Sequence, residues 1–228
     1  YFYNNYAENC FKLNNSFHFT EKHIQHSPIL IDMDLRYNIE NPTRLFTIDF
    51  IQNIVKLYIK IIKDSYQNIE DYMLESYILL KDNPIYDKDK YKDGIHIVIG
   101  VHLHHEAQIA MRELMLIEID NVLSELPLEN DYESVIDKGI VTGKTNWQLY
   151  GSRKPGNEAY RLVNYWNITW DENDNEFEYE DMMSEDINHS EIFDLISARK
   201  NDNIKFELKD DMLERCKKAD EMEANKIA

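Results

Sequence analysis

Cysteine is nearly absent: only Cys10 and Cys216 occur in 228 residues, and they lie near opposite ends of the chain. That excludes a disulfide framework and a cysteine zinc site. No run approaches the ~20 apolar residues of a membrane span, and no signal peptide opens the chain. No internal repeat is visible. Positive charge is also short, with 25 Lys and Arg against 43 Asp and Glu, a net charge of -18. A protein that coats nucleic acid by bulk electrostatics is therefore not expected. These absences predict a soluble intracellular protein. The first residue is Tyr rather than Met, which reads as a piece cut from a longer chain.

The charge deficit is uneven. Asp171 to Asp194 holds 11 acids and no Lys or Arg; without them, 32 acids stand against 25 bases. A local basic path for a polynucleotide is thus compatible with the remaining surface. The acidic run itself reads as an exposed, solvated linker. With 43% hydrophobic residues, the chain has material for one large domain, or a domain with an appendage.

The most informative stretch is Pro28-Ile29-Leu30-Ile31-Asp32-Met33-Asp34-Leu35. Ile29, Ile31 and Met33 fall on one side of a two-residue repeat and Asp32 and Asp34 on the other, the pattern of a buried strand with a chemical edge. At about 6 Å and an effective dielectric of about 20, the two carboxylates repel by about 2 to 3 kcal/mol. Something cationic is therefore expected between them.

Residues 1 to 27 carry no sustained period, and His18, His23 and His26 read as surface histidines. Thr43 is a plausible N-cap for a helix of roughly 44 to 65, whose stripe is Leu45, Ile48, Ile51, Ile54, Val55, Tyr58, Ile59 and Ile62. Tyr72 to Leu80 reads as a strand, and Asn83-Pro84 with Asp87 to Asp93 as a turn or exposed loop. In the strand Gly94 to Gly100, Ile95, Ile97 and Ile99 face one way, so His96 shares the other face with Gly94 and Val98. A helix from His104 to about Leu126 follows, with Ala110, Leu114, Ile117 and Val122 inward. Tyr132 to Ile140, carrying Asp137, Asn146 to Tyr150 and Ala159 to Trp166 read as strands, the last two joined by the basic turn Gly151 to Asn157. Ile187 to Arg199 and Leu208 to Ile227 read as helices. The order is that of an α+β fold with a ferredoxin-like split β-α-β sheet, helices on one face and Asp32, Asp34 and His96 on the free one.

Four strings, Leu30-Ile31-Asp32-Met33-Asp34, Asp93-Gly94-Ile95-His96, Val135 to Val141 around Asp137, and Trp147-Gln148-Leu149-Tyr150-Gly151-Ser152-Arg153-Lys154-Pro155, resemble the archaeo-eukaryotic primase superfamily. The resemblance spans roughly residues 20 to 166. It is nearest to the primase domain of poxvirus-type primase-helicases of large DNA viruses and extends to eukaryotic primase-polymerases. It implies an RRM-like primase-polymerase core over 1–166, followed by an acidic linker and C-terminal helical segment over 167–228. It further implies template-directed nucleotidyl transfer with two Mg²⁺ or Mn²⁺ ions on Asp32, Asp34 and Asp137, and nucleotide contacts from His96 and from Arg153 or Lys154. Implied partners are single-stranded DNA template, nucleoside triphosphates and a helicase domain of the same full-length chain, with no membrane; a viral protein of this kind would work in the host cytoplasm or at a viral replication site. Gly94 stands where the family motif carries serine, so one hydroxyl contact is missing.

Two other readings compete. A degenerate primase-like core could act only as an interaction module through its acidic segment. His102-Leu103-His104 imitates the His-apolar-His metal motif of nicking endonucleases, although that reading leaves Asp32 and Asp34 idle. Gly143-Lys144-Thr145 imitates the end of a P-loop, but the earlier glycine is out of register and the stretch reads as a turn.

Overall fold

The computed structural model describes residues 2–183, 188–200 and 206–225. From the N terminus, α1 (Phe2–Ala7) runs into a π-helical turn (Glu8–Lys12), followed by β1 (Thr20–Glu21), β2 (His26–Tyr37) and α2 (Ile48–Ser65). Next come β3 (Leu74–Leu80), β4 (Ile85–Asp87), β5 (Lys90–His104) and α3 (His105–Glu118). The short helices α4 (Asp120–Leu123), α5 (Tyr132–Val135) and α6 (Lys138–Val141) lead to β6 (Trp147–Gln148), β7 (Arg161–Asp171), β8 (Glu176–Asp181), α7 (His189–Ile196) and α8 (Asp210–Asn225).

The fold is α+β. Antiparallel β5 sits between β2 and β3, so β2, α2 and β3 form the split β-α-β unit expected from the sequence. The fourth long strand, β7, docks on the outer edge of β3, giving the order β2-β5-β3-β7-β8. Position 166, where the resemblance ends, falls inside β7.

Side-chain alternation creates two cores. On one face Ile29, Ile31 and Met33 meet Ile95, Ile97 and Ile99 under Ile54 of α2 and Met111 of α3, all buried. The opposite face was expected to be free, and it is not. Leu30, Tyr77, Leu79 and Val98 bury a second core beneath Tyr6, Trp147, Tyr150 and Phe193. The sheet's functional face is therefore a recess rather than an open platform.

Several boundaries move for local reasons. The N-cap of α2 is Thr47, whose Oγ1 accepts from Phe50 N, rather than Thr43. Lys88 and Asp89, both at positive φ, make a two-residue hairpin turn, so residues 90–93 belong to β5 instead of a loop. The inward stripe of α3 is Ala107, Ala110, Met111 and Met115, while Ile117 is 73% exposed, and the helix ends at Glu118 rather than running on to Leu126. Tyr132 to Ile140 is not a strand. Asp131 and Asp137 accept from Ser134 N and Gly139 N, and these caps turn the chain into α5 and α6 despite its β-branched residues.

The acidic stretch is partly a strand: β8 pairs with β7 and alternates Phe177 and Tyr179 toward the core with Glu176, Glu178 and Glu180 outward. Its Glu185 and Asp186 lie outside the described residues, as does the end of the helix expected to reach Ile227. His23, expected at the surface, is buried.

Candidate active site

Asp32 and His96 are register partners on β2 and β5, with His96 Nε2 3.4 Å from Asp32 Oδ1. Asp34 faces Gly94, and Lys92, the next residue on that face of β5, reaches back diagonally to place Nζ 2.7 Å from Asp34 Oδ1. A cation beside the paired carboxylates is thus supplied by the neighbouring strand, where Lys92 and His96 share one face with Gly94 between them. Burial alone would push the Asp32 carboxyl up; His96, then Lys92 and Lys154, outweigh it and hold the group below its ordinary range.

Asp137 arrives by backbone docking. Its N–H donates to Asp32 O at 2.9 Å, and Ile136 bridges Met33. Buried Arg112 of α3 fastens this segment, donating from Nε and Nη2 to Ile136 O and from Nη2 to Glu133 O. Gly139 is needed here because a Cβ would stand 2.3 Å from Thr145 Oγ1 and 3.0 Å from Asp137 Oδ1.

The Tyr150-Gly151-Ser152-Arg153-Lys154 string is a stapled turn. Gly151 adopts φ +79, and Ser152 Oγ pairs with Tyr6 Oη at 2.6 Å and accepts from Phe19 N at 3.0 Å. His18 Nδ1 donates to Arg153 O at 2.5 Å, and Arg153 N donates to Phe17 O at 2.9 Å. The turn sends its two basic side chains different ways. Lys154 lines a cleft of about 170 Å³ with Asp32, Asp34, Asp137 and His96. Arg153 lines an adjoining cleft of about 600 Å³, and His18 borders both.

Five of the six site residues read from the sequence therefore face one cleft. Reading the sequence missed three others in it: Lys81, Lys92 and Tyr160. Burial, and after it the neighbouring Lys92 and Lys154, lowers the Lys81 ammonium, although Asp32 and Asp34 oppose this. Tyr160 stacks on His96 with ring centroids 3.5 Å apart, and Trp147 lies 4.4 Å from the same imidazole. A period of two carried past β3 and back along β5 points to Lys81 and Lys92. Nothing in the sequence points to Tyr160.

Among the described residues, no three His, Cys, Asp or Glu side chains converge as a ready-made metal cage. Asp32 Oδ1, however, is a buried acceptor that receives no hydrogen bond among the described residues. An ionised carboxylate in that state, with Asp34 beside it, fits a hard cation that takes one or two carboxylates and completes its shell with water and phosphate oxygens. The His102 and His104 rings face His26, with centroids 6.2 and 5.1 Å away, and neither lines the cleft. Gly143-Lys144-Thr145 closes α6 as a turn, with Lys144 N and Thr145 N both donating to Gly139 O. No described helix is long and apolar enough to cross a membrane.

Two comparisons bear on this arrangement. The chain is 37% identical over 151 residues to a protein named "Putative helicase L207/L206" from Acanthamoeba polyphaga mimivirus. The match covers 65% of this chain and 16% of that protein's length. The family pattern of the C962R protein N-terminal AEP domain, AEP denoting archaeo-eukaryotic primase, matches residues 1–166. With that match spanning β2, β3, β5 and every residue that lines the cleft, the chain belongs to the C962R-type family of archaeo-eukaryotic primase domains.

Proposed function

We propose that this domain is a DNA primase-polymerase that joins nucleoside triphosphates on a single-stranded DNA template, dependent on Mg²⁺ or Mn²⁺. The observation that carries the reading is the composition of one cleft: three carboxylates, Asp32, Asp34 and Asp137, opposed by Lys81, Lys92, Lys154 and His96. Such a mixture suits a substrate that is polyanionic and cation-bound, as a nucleoside triphosphate is.

Asp32 and Asp34 would hold the cations, with Asp137 as the third carboxylate. When bound, they would activate the attacking 3′-hydroxyl and neutralise charge on the departing pyrophosphate. Lys92, paired with Asp34 in this structure, would with Lys154 and Lys81 donate to phosphate oxygens. His96 Nε2 donates a further hydrogen bond from the same strand face. The larger cleft beside Arg153 and His18 is open to a strand of template. The helicase name and far greater length of the mimivirus protein support a helicase as the tethered partner of this domain.

The test is primer synthesis on a single-stranded template with labelled nucleotides and Mg²⁺ or Mn²⁺, comparing the domain with Asp32→Ala/Asp34→Ala. Metal-dependent oligonucleotides from the intact domain alone are expected. Absence of both product and metal binding would replace the enzyme by an interaction module.

A further inference from the structure

We propose that Tyr160 is a positioning residue for His96 and that Gly94 is glycine in order to admit it. This rests on the nucleotide-contacting role proposed above for His96. Lys92, Gly94 and His96 occupy successive places on one face of β5, so a side chain is missing from the middle of the row that faces the cleft. The space is not vacant. A Cβ at Gly94 would stand 2.0 Å from Tyr160 Oη and 3.1 Å from its Cζ. Gly94 is therefore fixed by a close approach from Tyr160, the residue just before β7.

What the phenol does there follows from its neighbours. Its ring lies on the His96 imidazole at 3.5 Å and 16°. Trp147 approaches the same imidazole at 4.4 Å and 33°. Held by these two rings, the imidazole keeps the plane that aims Nε2 at Asp32 and the cleft. The phenol also carries the Lys81 ammonium, 4.8 Å from its ring centroid. One buried side chain thus orients two donors that face the proposed triphosphate. Preorganised donors act without reorganising when substrate arrives.

The experiment compares Tyr160→Phe, Tyr160→Leu, Gly94→Ala and Gly94→Ala/Tyr160→Phe, with His96→Ala and His96→Ala/Tyr160→Leu beside them. Three quantities are read on each folded variant: the NMR shifts of the His96 ring protons, the equilibrium affinity for a labelled nucleoside triphosphate with Mg²⁺, and KM and kcat for primer synthesis. Tyr160→Phe keeps the stacking ring and is expected to retain the His96 shifts. Tyr160→Leu is expected to abolish the ring-current displacement of His96 and to weaken nucleotide about tenfold, the scale of one charge-assisted hydrogen bond. That loss appears in KM rather than kcat, and adds little to a His96→Ala background. Gly94→Ala should resemble Tyr160→Leu, and Tyr160→Phe should rescue it by removing the hydroxyl that collides.

Unchanged His96 shifts in Tyr160→Leu, full additivity with His96→Ala, or failure of the rescue would each overturn the proposal. If the intact domain binds no nucleotide while Tyr160→Leu still releases His96, the positioning stands and the nucleotidyl-transfer reading falls.

Discussion

The Asp32 carboxylate and the His96 imidazole face each other across a single antiparallel register position, Oδ1 to Nε2 at 3.4 Å. His96 is the strongest influence lowering the Asp32 carboxyl, against burial that raises it. His96→Ala should therefore move the acidic limit of divalent-ion binding to higher pH, because the carboxyl then protonates more readily. Metal titrations between pH 4 and 7, an interval chosen to bracket an ordinary carboxyl, check this. An unmoved limit would show that Asp32 is not a ligand or that His96 does not govern it.

Asp32→Asn and Asp34→Asn should each reduce synthesis by about 10² or more, the scale of removing one preorganised charge from a reacting centre. Neither should unfold the domain, since both acids line a solvent-reached cleft and only part of each is buried. Retained synthesis in both variants, with intact circular dichroism, would remove them from the chemistry.

The divergence of Arg153 and Lys154 separates two kinds of binding. Lys154→Met should raise the nucleotide KM about tenfold with little effect on template affinity. Arg153→Met should do the reverse, weakening single-stranded DNA and lowering the salt dependence of its binding. Titrations of each variant with nucleotide and with oligonucleotide at several salt concentrations distinguish them; identical profiles would contradict the division.

Arg44 forms a two-pronged pair with fully buried Asp93, Nε to Oδ2 and Nη2 to Oδ1 each at 2.9 Å, and also donates to Lys81 O. The pair ties the end of β3 to the strand that carries Lys92 and His96. Arg44→Ala leaves a buried carboxylate without its partner, so a loss of about 3 to 5 kcal/mol is expected in urea unfolding. A loss below about 1 kcal/mol, the value of an exposed pair, would mean that Asp93 finds water instead.

His23 supplies a pH dependence. Burial, and to a lesser degree His105 beside it, lowers its pKa from 6.5 to about 4. Between those values the unfolded chain takes up a proton that the folded protein refuses. The associated stability is full above pH 6.5 and is lost as pH falls to 4, at most about 3 kcal/mol. The urea midpoint of His23→Leu should therefore drop less between pH 7 and pH 5 than that of the parent; parallel slopes would refute the assignment.

The sequence carried the sheet and most of the site because the strands alternate cleanly. Ile31, Asp32, Met33 and Asp34 declare two faces, and Ile95, His96 and Ile97 declare the matching pair on β5. The segment 132–140 misled because two aspartate caps outweigh the strand preference of Val135, Ile136 and Ile140. Lys92 was hidden by a hairpin turn, Lys88-Asp89, that lacks the usual glycine. Arg112 reads as one more polar helix residue, yet it is buried and ties down the segment that ends at Asp137. Tyr160 reaches His96 only through strand pairing across the sheet, which leaves no mark at short range.

The staple between the N-terminal segment and the Ser152 turn joins residues 133 to 146 positions apart in the chain. Closing so long a loop costs entropy before any contact offsets it, so this wall of the cleft forms late in folding. A chain emerging from the ribosome holds Asp32, Asp34 and His96 before Ser152 exists to meet Phe19. The cleft gains Lys154 and the turn that carries it last, and hydrogen exchange should find that same wall opening first.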